Sequence, residues 1–159
     1  MTNPTAQSGF TLLEVMIALV IFSIGLLGLS GLQAISLQNN QVAYSRTVAT
    51  MLAYDMADRI RNNRTGTYST AAIPAAAPTS CVTSSCLPAA MAAHDLWEWE
   101  QSLNAAQSNL LSAQGFITPA AGPTFTITIG WDEERKGNAV ACPAAANSGI
   151  ACVSIAVTP

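Results

Sequence analysis

Hydrophobic residues run almost without a break from Phe10 to Leu37, and no charged side chain occurs between Glu14 and Arg46. An apolar stretch of this length forms a helix able to cross the roughly 30 Å hydrocarbon layer, which takes about 20 helical residues. No proline falls between Pro4 and Pro74. Past the apolar run Val48, Leu52, Met56 and Ile60 keep one i+4 ridge, so the helix is expected to continue in amphipathic form. The predicted helix covers residues 10–63, stops at "NNRTG", and takes Gly66 as its C-terminal cap.

Residues 67–88 are rich in Ala, Ser, Thr and Pro and read as a loop. A second helix is expected to open at Pro88, a residue suited to the first helical position. Along it Ala92, Leu96, Trp99, Leu103, Ala106 and Leu110 recur at alternating intervals of four and three, a core-facing stripe, with His94, Asp95, Glu98 and Gln101 on the wetter side. The period then changes. "TFTITIGW" alternates to Trp131, "IACVSIAVTP" does so less cleanly, and both read as strands of an antiparallel sheet. Between them "DEERKGN" has the mixed charge and glycine of an exposed hairpin tip. The pattern predicts an α+β fold, a long N-terminal helix packed on a small antiparallel sheet head with a second helix.

Composition sharpens this picture. Half of the 159 residues are hydrophobic and 9% are charged, against roughly 25% in ordinary soluble domains. The net charge is −3 and the six basic residues are scattered, so no basic stripe exists to follow a phosphate backbone, which argues against a nucleic-acid partner. The four cysteines, Cys81, Cys86, Cys142 and Cys152, lie beyond the apolar segment in two locally spaced pairs. Short loops close readily, which favours Cys81–Cys86 and Cys142–Cys152 among the three possible connectivities. Zinc is the competing reading, but "CPAAANSGIAC" lacks the ligand spacing and His94 is the sole histidine. Disulfides place the head outside the cytosol.

Candidate chemistry is thin in the head. A Ser-His-Asp arrangement would need His94, which the adjacent helical Asp95 does not face, and no phosphate loop or metalloprotease signature occurs. Asp95, Glu98 and Glu100 read as a solvated helix face, and Asp132, Glu133 and Glu134 as a loop without calcium-site spacing. The sequence therefore predicts no enzyme and no cofactor. The anomaly is Glu14, inside the apolar run, where an ionised carboxylate is costly without a partner. It could snorkel at the membrane edge, or it could await a positive charge. Gly25, Gly28 and Gly31 weaken the helix by about 1 kcal/mol each relative to alanine. They are either ordinary membrane-helix glycines or points of close helix approach or local unwinding.

The junction "SGFTLLEVMIALVIF" resembles the N-terminal signal of type IV prepilins, in which a short hydrophilic leader ends in glycine, phenylalanine follows, and a glutamate stands four positions later. With "SIGLLGLSGLQ", "AAHDLWEWEQSL" and "ITIGWDEER", the chain is most similar to the PilV-type minor pilins, or type IV pilus modification proteins. The match is strong at the N-terminus and looser over the head. The resemblance implies a type IV pilin-like fold, prepilin peptidase cleavage between Gly9 and Phe10, and N-methylation of Phe10. Glu14 would pair with the Phe10 amine of a neighbouring subunit and set the register of assembly. It further implies a leader at residues 1–9, a transmembrane and assembly half-helix at 10–37, an amphipathic half-helix at 38–66 and a periplasmic head at 67–159. The implied partners are other major and minor pilins, the prepilin peptidase and the inner-membrane assembly machinery. The implied role is pilus initiation or a tip complex, serving adhesion or twitching motility. A type II secretion pseudopilin uses the same N-terminal chemistry, and a membrane-anchored periplasmic binding protein or enzyme is the remaining alternative. The leader "MTNPTAQSG" departs from the family pattern in lacking Lys and Arg, so the positive-inside rule does not itself orient the segment.

Overall fold

A computed structural model describes residues 9–69, 73–120, 123–143 and 148–159. Helix α1 spans Leu12–Asn62 and helix α2 spans Pro88–Leu103, followed by a single 3-10 turn at Ala106–Ser108. Strands β1 (Gln114–Pro119), β2 (Phe125–Asp132) and β3 (Ile150–Val157) form one antiparallel sheet in that order. The chain divides into two units, Met1–Gln41 and Val42–Pro159, and α1 contributes to both.

In the first unit every described side chain is exposed. Among the described residues none buries the apolar surface of α1 there, and the helix is long and apolar enough to cross a membrane. Ser23 and Ser30 donate their hydroxyls to the carbonyls of Leu19 and Leu26, at 2.5 and 2.8 Å. Each hydroxyl is thus satisfied within the helix, as a hydrocarbon environment requires.

In the second unit α1 turns one face inward through Ser45, Ala49, Ala53, Met56, Ala57 and Ile60. Three alanines on this face let the rest of the head approach the helix backbone closely. Met56 and Ile60 of the predicted ridge are buried, while Val48 and Leu52 sit at its margin. The inward face of the sheet supplies Ile117, Ile127, Ile129, Trp131 and Val157, and α2 adds Ala92, Leu96, Trp99 and Leu103 to the same cluster. Trp99 is fully buried and its indole N–H donates to the Leu52 carbonyl at 2.9 Å, which answers the polar end of the ring. A Cβ at Gly115 would come within 2.3 Å of the Trp99 ring, so only glycine lets β1 pass there.

Four local expectations change. Strand β1 is an element the hydrophobic pattern did not reveal. Helix α2 ends at Leu103, where the Ser108 hydroxyl reaches the Leu103 and Ala105 carbonyls, each at 2.8 Å. The stripe therefore breaks, leaving Ala106 exposed and Leu110 buried from the segment beyond. At the end of α1, Gly66 does not take the left-handed conformation of a cap. The backbone N–H of Asn63 donates to the Arg59 carbonyl at 3.1 Å and its own carbonyl accepts the Gly66 N–H at 3.0 Å, while its side-chain amide donates to the Tyr68 hydroxyl and the Pro88 carbonyl at 3.1 and 2.8 Å. Finally, Asp132 is buried within β2 rather than exposed at a tip. Its carboxylate accepts the backbone N–H groups of Lys136 and Gly137 at 3.2 and 2.7 Å, and this bonding organises the turn that follows.

Candidate functional site

The start of α1 holds the residues singled out by the sequence. Gly9 and Phe10 precede the helix, and Phe10 is 83% exposed. The Thr11 hydroxyl accepts the backbone N–H of Glu14 at 3.3 Å, while the Thr11 carbonyl accepts the N–H groups of Glu14 and Val15 at 3.1 and 3.3 Å. Thr11 is therefore an N-cap, and Glu14 stands at the third helical position with only the threonine half of a capping box formed. A carboxylate in the first turn is also favoured by the partial positive charge of the helix start. Glu14 is exposed and forms no ion pair among the described residues. The sequence thus puts one uncompensated charge at the beginning of a helix whose surrounding side chains are apolar. A Cβ built on Gly25, Gly28 or Gly31 would meet nothing within 4 Å, so packing among the described residues does not account for these glycines.

In the head the charged residues serve architecture. Arg59 is the hub. Its Nε donates to Asp55 at 2.9 Å, and its Nη1 donates to Asp95 at 3.2 Å and Glu98 at 2.6 Å. Burial opposes the charge on Arg59, but hydrogen bonds to Glu98 and Asp55 outweigh it and hold the guanidinium pKa above its ordinary value. The other oxygen of Asp95 accepts the Tyr68 hydroxyl at 2.6 Å. Burial, then this bond to Asp95, pushes the Tyr68 phenol up from its usual pKa. Asp95 and His94, expected on the wet side of α2, are both buried, and Asp95 is so because a cation and a phenol meet it there. The acidic face read as solvated is, at Asp95 and Glu98, a set of ligands for Arg59. A second clamp joins Arg46 to Glu133 through two bonds, at 3.1 and 3.2 Å.

Cys81 is bonded to Cys86 and Cys142 to Cys152, with Cα separations of 5.5 and 6.1 Å. The second bridge ties the approach to β3 onto the strand itself, and Val140 and Cys142 lie so close over Gly130 that a Cβ there would clash with both. Among the described residues no group of three His, Cys, Asp or Glu side chains is placed to hold a metal. The residues that sequence reasoning passed over are Arg59, Tyr68 and Arg46. The i,i+4 spacing of Asp55 and Arg59 was a visible signal, while Asp95 lies 36 positions further along.

Two family profiles match consecutive stretches of the chain. The prokaryotic N-terminal methylation motif covers residues 4–30, and type IV pilin Tt1218 covers residues 31–97. No curated protein and no solved structure matches. The first profile takes in Gly9, Phe10, Glu14 and the apolar helix, and the second takes in the amphipathic half of α1 and most of α2. With a long apolar helix, a second helix and a three-stranded antiparallel sheet behind those matches, the chain is a type IV prepilin-like protein with the type IV pilin fold.

Proposed function

We propose that this pilin is a minor pilin of the PilV type, a structural component that helps initiate or shape a type IV pilus from a subcomplex at its tip. Residues 1–9 are its leader, 10–37 the membrane and assembly half-helix, 38–66 the amphipathic half-helix, and 67–159 the periplasmic head. Prepilin peptidase cuts between Gly9 and Phe10 and methylates the new Phe10 amine. Until assembly the apolar helix anchors the protein in the inner membrane. The two disulfides support an oxidising compartment for the head.

The observation that carries the reading is the Glu14 carboxylate, without an ion pair among the described residues, on an apolar helix whose described side chains up to residue 41 are all exposed. Such a charge strongly favours any arrangement that brings it a cation, and cleavage after Gly9 creates one, the Phe10 amine, on every subunit. Pairing Glu14 of one chain with the amine of the next sets the axial register of the helices, while Gly25, Gly28 and Gly31 permit close contact or local unwinding within the bundle. Mass spectrometry of the protein from cells with and without the peptidase tests the processing. A methylated Phe10 start is expected only with the peptidase, and an intact Met1 start in both refutes it. Glu14→Ala should leave membrane insertion unchanged and lower incorporation into sheared pili several-fold. Equal incorporation refutes the pairing, and copurification with a secretion apparatus in place of pili refutes the assignment to pili.

A further inference from the structure

Among the described residues, three that are not glycine hold the backbone at positive φ: Asn109 at 54°, Ser112 at 52° and Arg135 at 55°. That region is disfavoured for L side chains, and residues kept in it gather at functional sites. All three line one cavity of about 300 Å³ in the head, together with Asn104, Ala106 and Leu111. Two turns build it. One follows α2 and carries residues 104–112, and the other follows β2 and carries Arg135. The Asp132 carboxylate shapes the second turn through the N–H groups of Lys136 and Gly137. The backbone N–H of Asp132 donates to the Leu111 carbonyl at 3.0 Å, which fixes one turn against the other.

The charges of the second turn leave one residue over. Glu133 is held by Arg46 and Glu134 by Lys136, while Arg135 forms no ion pair among the described residues. Its Nη2 donates to the neutral Asn109 Oδ1 at 3.0 Å, which holds the guanidinium at the cavity wall with further N–H donors to spare. That bond leaves the Asn109 amide N–H groups as donors. The Asn104 amide donates to the Glu100 carbonyl at 3.0 Å, which leaves its Oδ1 as an acceptor, and the Ser112 hydroxyl can serve either way. Ala106 and the 41% exposed Leu111 add an apolar patch. We propose that this cavity binds a sugar acid, a single pyranose ring bearing one carboxylate and several hydroxyls. The site is separate from the N-terminal helix, and the proposal does not rest on the pilus reading. One unpaired guanidinium matches one carboxylate, mixed donors and acceptors match hydroxyls, and the apolar patch matches the C–H face of the ring. A phosphate dianion suits several cations or a nest of backbone N–H groups better, and Arg135 repels a divalent metal. A peptide would call for an exposed strand edge to pair with its main chain, and residues 104–112 contain no strand.

The test titrates the full-length chain in detergent with galacturonate, galactose, inorganic phosphate and N-acetylalanine, followed by backbone amide chemical shifts. Galacturonate should saturate below about 10 mM, with the shifts centred on residues 104–112 and 135. Galactose, phosphate and N-acetylalanine should each bind about tenfold more weakly or worse, since each lacks either the carboxylate or the ring hydroxyls. No saturation by galacturonate, or shifts centred elsewhere, overturns the site. Equal or tighter binding of galactose, phosphate or N-acetylalanine overturns the sugar acid. Arg135→Gln should weaken galacturonate about tenfold while leaving galactose binding as it was; unchanged galacturonate affinity refutes the role of the guanidinium. A lowered thermal midpoint in Arg135→Gln passes the decision to Asn109→Gly. Glycine adopts positive φ without strain, so that variant should melt no lower than the wild type and still lose galacturonate affinity several-fold. Full affinity in Asn109→Gly overturns the proposal.

Discussion

Arg59→Met removes the guanidinium that joins α1 to α2 while keeping much of the side-chain volume. The Arg59 side chain is 24% exposed and that of Asp95 12% exposed. The substitution therefore leaves Asp95 largely buried, with the Tyr68 hydroxyl as its remaining donor. Breaking a fully buried ion pair costs about 3–5 kcal/mol because one charge is left uncompensated. Solvent access to Arg59 and the surviving phenol bond reduce this, and the half-exposed Asp55 and Glu98 contacts add little, so the expected loss is about 2–3 kcal/mol. For a head of this size that corresponds to a fall in thermal midpoint of roughly 8–12 °C. Near-ultraviolet circular dichroism of the full-length protein in detergent reports the head directly, because Trp99 and Trp131 both lie in its core. Arg59→Met combined with Asp95→Asn should recover about 1 kcal/mol or more relative to Arg59→Met alone, since the stranded charge is then gone. The reasoning is refuted if Arg59→Met melts with the wild type, or if the double substitution is no more stable than the single one.

The remaining predictions concern the same head. Because the Tyr68 pKa is raised above the unfolded value of 10.0, its contribution is complete below that pH and is lost as pH rises past it. Denaturant titrations from pH 8 to 11 should show this decline in the wild type and a shallower one in Tyr68→Phe; parallel slopes would contradict the account. Gly115→Ala should destabilise the head by about 2 kcal/mol through its overlap with Trp99, and an unchanged midpoint would show that the ring moves aside freely. Replacing Cys142 and Cys152 by serine opens a loop of sequence separation 10 and should cost about 2–3 kcal/mol. The corresponding change at Cys81 and Cys86 should cost less, because Val82 and Leu87 around that bridge stay exposed; chemical denaturation of the two variants compares them.

What local pattern can encode was readable in the sequence. The uninterrupted apolar run defined the first half of α1 because every face of that segment is alike, and no fold partner was needed to interpret it. Alternation defined β2 and β3, Pro88 marked the start of α2, and sequence-near cysteines were the ones joined. Glu14 stood out because a carboxylate among so many apolar neighbours is visible without coordinates. Tertiary structure decided the rest, wherever a residue's environment is built by chain remote in sequence. Strand β1, "QGFITP", has a glycine and a terminal proline that blur its alternation, and it is a strand through its ladder with β2. Its Gly115 is explained by Trp99 of α2. Hydrophobic periodicity assigns a charged residue to the wet side by default, so Asp95 and Asp132 were misplaced. Arg59 and Tyr68 make burial tolerable for the first, and the backbone N–H groups of the following turn do so for the second. A charge is buried when donors converge on it, and convergence is a property of the folded chain.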